Sequence, residues 1–257
     1  MNTNEVSIEH HDRLLIDIGN TSCKVAFAQG KKIEKTVKSR EGEHPLLFLE
    51  GLLTGVAFNM IVLASVQKYD PDLVAWLGAR CGRLIVVDGD APTALRIDYQ
   101  TTDRLGADLL AGGLGAITRF PGEDLLVVDF GTAITVEWID RDGRLLGLNI
   151  SPGLHIRLKS LYQHTAGLPL IAFDSQEPIP DMGIDTKGAI TAGVVWGILH
   201  EIEGYIHRHP GKKVIFTGGD AIFFAEQLKI PIFVDCNLIF TGLAEIADTH
   251  AKKKNIL

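Results

Sequence analysis

Residues 14–21 read LLIDIGNT and residues 125–132 read LLVVDFGT. Each is an apolar run ending in Asp-x-Gly, with a Thr one or two places on. The first run spans about one strand (13–18), and two further strands follow at 23–28 and 33–37 across the turn Gln29-Gly30-Lys31. The second behaves the same way, with strands at 125–130, 133–139 and 144–149 and the turn Asp140-Arg141-Asp142-Gly143. A chain that builds the same three-strand meander twice, each opened by Asp-x-Gly, predicts two similar domains facing each other with a site in the cleft between them.

The rest of the chain fits two α/β halves. In the first, helices are expected over 45–53 and 71–80, and the short apolar runs at 60–65 and 84–88 predict parallel strands. Residues 104–118 have apolar residues at helical spacing, loosened by Gly112, Gly113 and Gly115. The turn Phe120-Pro121-Gly122 sets the boundary, giving domains of 1–120 and 121–257. In the second half, helices are expected at 153–163, 186–208, 219–228 and 239–250, and strands at 213–217 and 231–234. Ile190, Val194, Ile198, Ile202 and Ile206 form one stripe on the long helix, which predicts a core-facing side. The GVVWG stretch at 193–197 suits close helix packing, including packing between two copies of the chain.

Chemically, a carboxylate at a strand end suits Mg²⁺ or its waters. The glycines after it, Gly19 and Gly131, let backbone N–H groups approach phosphate oxygens. Asn20, Thr21 and Thr132 add donors, and Lys24 could neutralise phosphate charge. Two such loops could grip a polyphosphate from both sides. A single Asp-x-Gly is an ordinary turn signal, but two in matching contexts argue for more. No GxxxxGK[ST] loop is present, which excludes the P-loop mode. FTGGDA (216–221) adds a third Gly-rich element, following a strand and opening a helix.

The 257 residues are 46% hydrophobic and 22% charged, with a formal net charge of −7, enough apolar content for a real core and no overall basic field for nucleic acid. Lys252, Lys253 and Lys254 read as a solvated tail. Cys23, Cys81 and Cys236 form no CxxC pair, so a reducing cytoplasm is expected. No apolar run approaches the roughly 18 residues of a membrane span, and the start MNTNEVSIEHHDR does not read as a secretory leader. His155, His164, His200, His207 and His209 lack metal-site spacing.

With these motifs in order, the chain resembles the type III pantothenate kinases, within the acetate and sugar kinase, heat-shock ATPase and actin superfamily. The resemblance rests on Asp17-Ile18-Gly19-Asn20-Thr21 through Lys24, on Tyr99 and Gly106-Ala107-Asp108, and on Asp129 to Ala133. Pro152-Gly153, Thr165-Ala166-Gly167-Leu168-Pro169, Thr186, TGGDA and NLIFTGL continue it. It implies two ribonuclease H-like domains in the actin-like duplication, and ATP-dependent phosphorylation of pantothenate to 4′-phosphopantothenate, the first step towards coenzyme A. ATP would be bound by Asp17, Ile18, Gly19, Asn20, Thr21, Ser22, Cys23, Lys24 and Thr132. The cofactors implied are ATP, Mg²⁺ and a monovalent cation (K⁺ or NH₄⁺) at Asp129. Pantothenate would meet Tyr99, Gly106, Ala107, Asp108, Leu109 and Thr186, with Asp108 as general base. A homodimer is implied, with helices of the second half at its interface and no nucleic-acid or membrane partner.

One residue departs from the pattern: the family's Arg after the base is Leu109. An Arg–carboxylate fork is hard to replace with an apolar chain. Arg104 and Arg157 are the candidate substitutes. The departure also keeps two rival readings open: a non-catalytic regulator, and a kinase of another small alcohol or acid, or a polyphosphate hydrolase, on the same fold.

Overall fold

The computed structural model describes residues 12–88, 94–98 and 105–253. The chain forms two compact units, one from the described residues up to Pro121 together with those from Asn237 onward, the other from Gly122 to Cys236.

The first unit opens with the meander β1 (Arg13–Ile18), β2 (Cys23–Gln29) and β3 (Lys32–Lys38). Gly30, at φ 58°, makes the β2–β3 turn, a conformation that favours glycine. Helix α1 (Pro45–Leu52), β4 (Phe58–Ser65), α2 (Pro71–Gly78) and β5 (Cys81–Val86) follow. Pro45 and Pro71 stand in the first turns of α1 and α2, where a missing N–H does no harm, and Asp70 caps α2 by accepting from Asp72 N at 2.9 Å. The strand order is β3-β2-β1-β4-β5, with β1 antiparallel to β2 and parallel to β4. β1 and β4 are central and covered on both faces, which explains their unbroken apolar runs. β3 lies at the edge and alternates polar-out, with Lys32, Glu34 and Lys38 exposed, a charged rim that discourages further strand pairing. β5 begins three residues earlier than the apolar run suggests, because Cys81 and Arg83 already pair with Phe58 and Met60. A two-residue strand, β6 (Arg96–Ile97), has no counterpart in the sequence reading, being too short to show a period. Helix α3 (Ala107–Arg119) ends the first repeat.

The second unit repeats the plan with β7 (Leu125–Phe130), β8 (Ala133–Ile139), β9 (Arg144–Pro152), α4 (Leu154–His164), α5 (Thr186–Arg208), β10 (Lys213–Gly218), α6 (Ala221–Gln227) and β11 (Phe233–Val234). Its strands run β9-β8-β7-β10-β11, the same order as in the first unit. The β8–β9 turn is closed by Asp140, whose Oδ1 accepts from Asp142 N and Arg144 N, with Gly143 at φ 73°. Ile190, Val194, Ile198 and Ile202 of α5 join the core formed with Leu126, Val128, Phe130 and Phe216; Ile206 is half-buried against it.

The final helix, α7 (Leu238–Lys253), packs in the first unit, not with the second half as the 121–257 boundary expects. The reason is a glycine seam between α3 and α7. A Cβ at Gly115 would overlap the Leu238 carbonyl oxygen, and one at Gly242 would overlap that of Ala111. The glycines read as loosening α3 thus allow two backbones to touch. Arg13 and Lys31 add ion pairs to Asp248, and Lys31 one to Glu245. The GVVWG glycines of α5 make no such contact: Gly193 is exposed with open space beside it. Among the described residues no helix is long and apolar enough to cross a membrane.

Candidate active site

The first loop lies in the first unit, at the end of β1. Asp17 is 6% exposed and stands opposite Lys24 on β2. The chain then turns through Gly19-Asn20-Thr21-Ser22, closed by Gly19 N donating to Ser22 O at 3.1 Å. Ser39 fastens the start of β2, its Oγ accepting from Cys23 N at 2.9 Å and its N–H donating to Cys23 O at 2.8 Å. Ile18 and Cys23 point into the core, whereas Asn20 is exposed and Thr21, Ser22 and Lys24 are partly so. Burial, with the charges of Asp17 and Glu43, pushes the Cys23 thiol up to about 12, so it stays a neutral packing group at physiological pH.

Asp108 belongs to the same unit. Gly106 is the N-cap of α3, Ala107 its first residue, and Asp108 sits in the first turn, where the helix dipole favours an anion. Its Oδ1 accepts from Leu109 N at 2.9 Å. A Cβ at Gly106 would collide with that oxygen, so only glycine there leaves the carboxylate its place. Burial raises the Asp108 pKa above the ordinary carboxylate value, opposed by the backbone bonds and by the charge of Lys24. Asp108 is thereby electrostatically coupled to the residue that ends the first loop. Tyr99 and Arg104 lie outside the described residues.

The second loop lies in the second unit. Asp129, near the end of β7, stands between Thr135 on β8 and Thr217 on β10. Gly218, at φ 95°, passes directly over it. A Cβ there would strike Asp129 Oδ1 and lie 2.6 Å from Phe130 N. Gly153 closes the other side: its N–H donates to Thr132 O at 3.1 Å, and a Cβ would overlap Gly131 O. Thr132 is exposed. Within the TGGDA stretch, Gly218 braces Asp129, a contact that its Gly-rich character only hinted at. Among the described residues no three His, Cys, Asp or Glu side chains cluster as a metal site. A cation at Asp129 would have one carboxylate and neutral oxygens as ligands, a donor set that suits a weakly held monovalent ion.

Thr186, the first residue of α5, lines a separate cavity of the second unit of about 980 Å³, with Pro152, Ile156, Arg157, Leu168 and Ile184. Arg157 is committed there: Nε donates to Pro152 O at 2.8 Å, and Nη2 donates to Glu201 and, at 3.4 Å, to Ser151 Oγ. It braces α4 against α5, which weakens its candidacy for a substrate carboxylate.

Solved structures of similar fold place it. A Campylobacter jejuni protein, provisionally assigned to the Baf family of transcriptional activators, has a TM-score of 0.63 at 24% identity, over 93% of this chain and 99% of its own. The activator of 2-hydroxyisocaproyl-CoA dehydratase from Clostridium difficile, solved with ADPNP, has a TM-score of 0.59 at 16% identity, over 95% and 97%. With two Asp-x-Gly meanders in the strand order 3-2-1-4-5, the chain is a member of the actin-like ATPase and sugar-kinase fold class, as expected from its sequence. The model of the type III pantothenate kinases matches residues 13–208. A type III pantothenate kinase of Bacteroides fragilis is 40% identical over 238 residues, 91% of this chain and 96% of the relative. That of Porphyromonas gingivalis is 37% identical over 242 residues, 91% and 97%. The chain belongs to the type III pantothenate kinase family.

Proposed function

We infer that the chain is a pantothenate kinase, which transfers the γ-phosphoryl group of ATP to the pantothenate hydroxyl and releases ADP and 4′-phosphopantothenate, on the route to coenzyme A. The observation that carries this reading, beyond the family, is Asp108: a carboxylate on a helix N-terminus, its pKa raised by burial, close enough to feel the charge of Lys24 on the first loop.

In this reading Asp108 accepts the hydroxyl proton as that oxygen attacks the γ-phosphorus. Gly106, Ala107 and Leu109 line the substrate beside it, with Tyr99 and Thr186. Residues Asp17 to Lys24 and Thr132 bind the ATP phosphates, chiefly through backbone N–H groups, with the Lys24 ammonium offsetting charge. Mg²⁺ arrives with ATP and supplies further neutralisation, Asp17 holding it or one of its waters. Asp129 holds a monovalent cation, K⁺ or NH₄⁺. The protein works as a homodimer in the cytoplasm; supporting the dimer are the exposed Ile156 and Ile184 at the cavity and Met182 nearby. The domains follow the two meanders, each carrying one phosphate loop.

Purified protein with ATP, Mg²⁺, K⁺ and pantothenate, followed by ADP release, tests the reading. Turnover dependent on pantothenate is expected. Turnover on another alcohol but not on pantothenate would overturn the substrate, and no turnover on any acceptor would favour a non-catalytic regulator.

A further inference from the structure

The first loop is held by its carbonyls. Ile18 O accepts from Val66 N at 3.0 Å, Thr21 O from Gly42 N at 3.1 Å, and Ser22 O from Gly19 N at 3.1 Å. Gly19 O is held differently, by a side chain: Gln67 Nε2 donates to it at 3.0 Å from the turn after β4. Gln67 is itself anchored, its backbone N–H donating to Oγ of Ser65, the last residue of β4, at 3.0 Å. A carbonyl accepts only from a donor, which fixes the Gln67 amide with its nitrogen on Gly19.

A trans peptide points its C=O and N–H in opposite directions. A donor on Gly19 O therefore also turns the Asn20 N–H away from Gln67. Without that tie the Gly19–Asn20 peptide is easily flipped, because glycine accepts nearly any backbone conformation and Asn visits positive φ. A flipped peptide would offer the phosphates a partially negative oxygen in place of a donor.

We propose that Gln67 is a positioning residue for ATP: its side-chain amide holds the Gly19–Asn20 peptide so that the Asn20 N–H is presented to the phosphates. The proposal rests on the reading of residues 17–24 as the nucleotide loop.

Gln67→Met keeps the length and removes the donor; Gln67→Lys restores a donor. The Kd of a non-hydrolysable ATP analogue is measured by calorimetry in high salt, which screens the added lysine charge, together with both KM values. Gln67→Met should raise the analogue Kd and the ATP KM about fivefold, the worth of one neutral hydrogen bond, and leave the pantothenate KM within about twofold. Gln67→Lys should return the Kd to within about twofold of the parent. An unchanged Kd in Gln67→Met, a Lys variant as weak as the Met variant, or an equal rise in both KM values would overturn the proposal. Lys24→Met, measured at low ionic strength so that its charge is not screened, separates the two layers. If it binds the analogue as well as the parent does, the loop reading has failed; if it binds weakly while Gln67→Met does not, the Gln67 assignment alone has failed.

Discussion

The two Asp-x-Gly loops sit on the same strand frame and share a set of backbone hydrogen bonds: Ile18 O, Thr21 O and Ser22 O accept in the first, and Phe130 O, Thr132 O and Ala133 O in the second. What differs is the added bracing. The first gains side chains, Gln67 on Gly19 O and Ser39 at its exit. The second gains close packing: Gly218 and Gly153 press backbone against Asp129, Gly131 and Thr132, with no room for a Cβ. Duplication kept the frame and its backbone hydrogen bonds; the added bracing is what distinguishes the two copies.

The proposed base, Asp108, belongs to neither loop, and this is where the comparison can be broken most decisively. Helices α3 and α7 follow the fifth strand of their repeats and both pack in the first unit, yet the second residue of α3 is Asp108 and that of α7 is Ile239. Asp108→Asn should lower kcat by roughly 10²–10⁴-fold, the usual worth of a positioned base, and leave ATP-analogue binding unaltered. A kcat near that of the parent would rule out Asp108 as the base. Because the base must be ionised, kcat/KM should climb with pH through a pKa above the ordinary carboxylate range and level off beyond it. Stability should run the other way. A carboxyl whose pKa is raised on folding binds its proton more tightly when folded, so its ionised form destabilises the protein above that pKa, and the penalty is absent below the unfolded value of about 3.9. Asp108→Asn should therefore raise the Tm at pH 7, with the gain shrinking as the pH falls. A gain that grows towards acid would contradict the burial argument.

The second test pits the loops against each other. Gly218→Ala puts a methyl into Asp129 at a φ of 95° and should destabilise by about 2–4 kcal/mol in denaturant unfolding. Gly19→Ala places its Cβ 3.4 Å from Ser22 O, an ordinary contact, and should cost less than about 1 kcal/mol. Equal losses would mean that the packing at Gly218 adds nothing to the bracing the two loops share.

The frame was legible because both meanders alternate apolar runs with Gly-containing turns. The long helix was readable to its ends, 186–208, from its isoleucine stripe. Two things were not. The swap of α7 into the first unit depends on Gly115 meeting Leu238 and on Gly242 meeting Ala111, contacts between residues more than 120 apart that no local pattern encodes. The hold of Gln67 on Gly19 joins two loops 48 residues apart, and a single glutamine in a turn carries no signal. Residue types at the candidate site could be read from the sequence; what orients them could not.

The smallest expected effect concerns the residue after the proposed base. Leu109 gives its N–H to Asp108, and its side chain lies at the Gly106 turn, with Cδ1 3.8 Å from where a Gly106 Cβ would sit. An apolar chain there offers the pantothenate carboxylate no partner, and Arg157, the described alternative, is already bound to Glu201, Ser151 and Pro152. Leu109→Arg should retain the backbone donor to Asp108 while adding a guanidinium fork beside the substrate. It should lower the pantothenate KM about tenfold, within the range of one charge-assisted pairing, and leave the ATP KM alone. The separation of the two KM values matters, because a general tightening of α3 would move both. An unchanged or higher pantothenate KM would mean that the carboxylate is already held elsewhere, and the search for its partner would pass to Arg104.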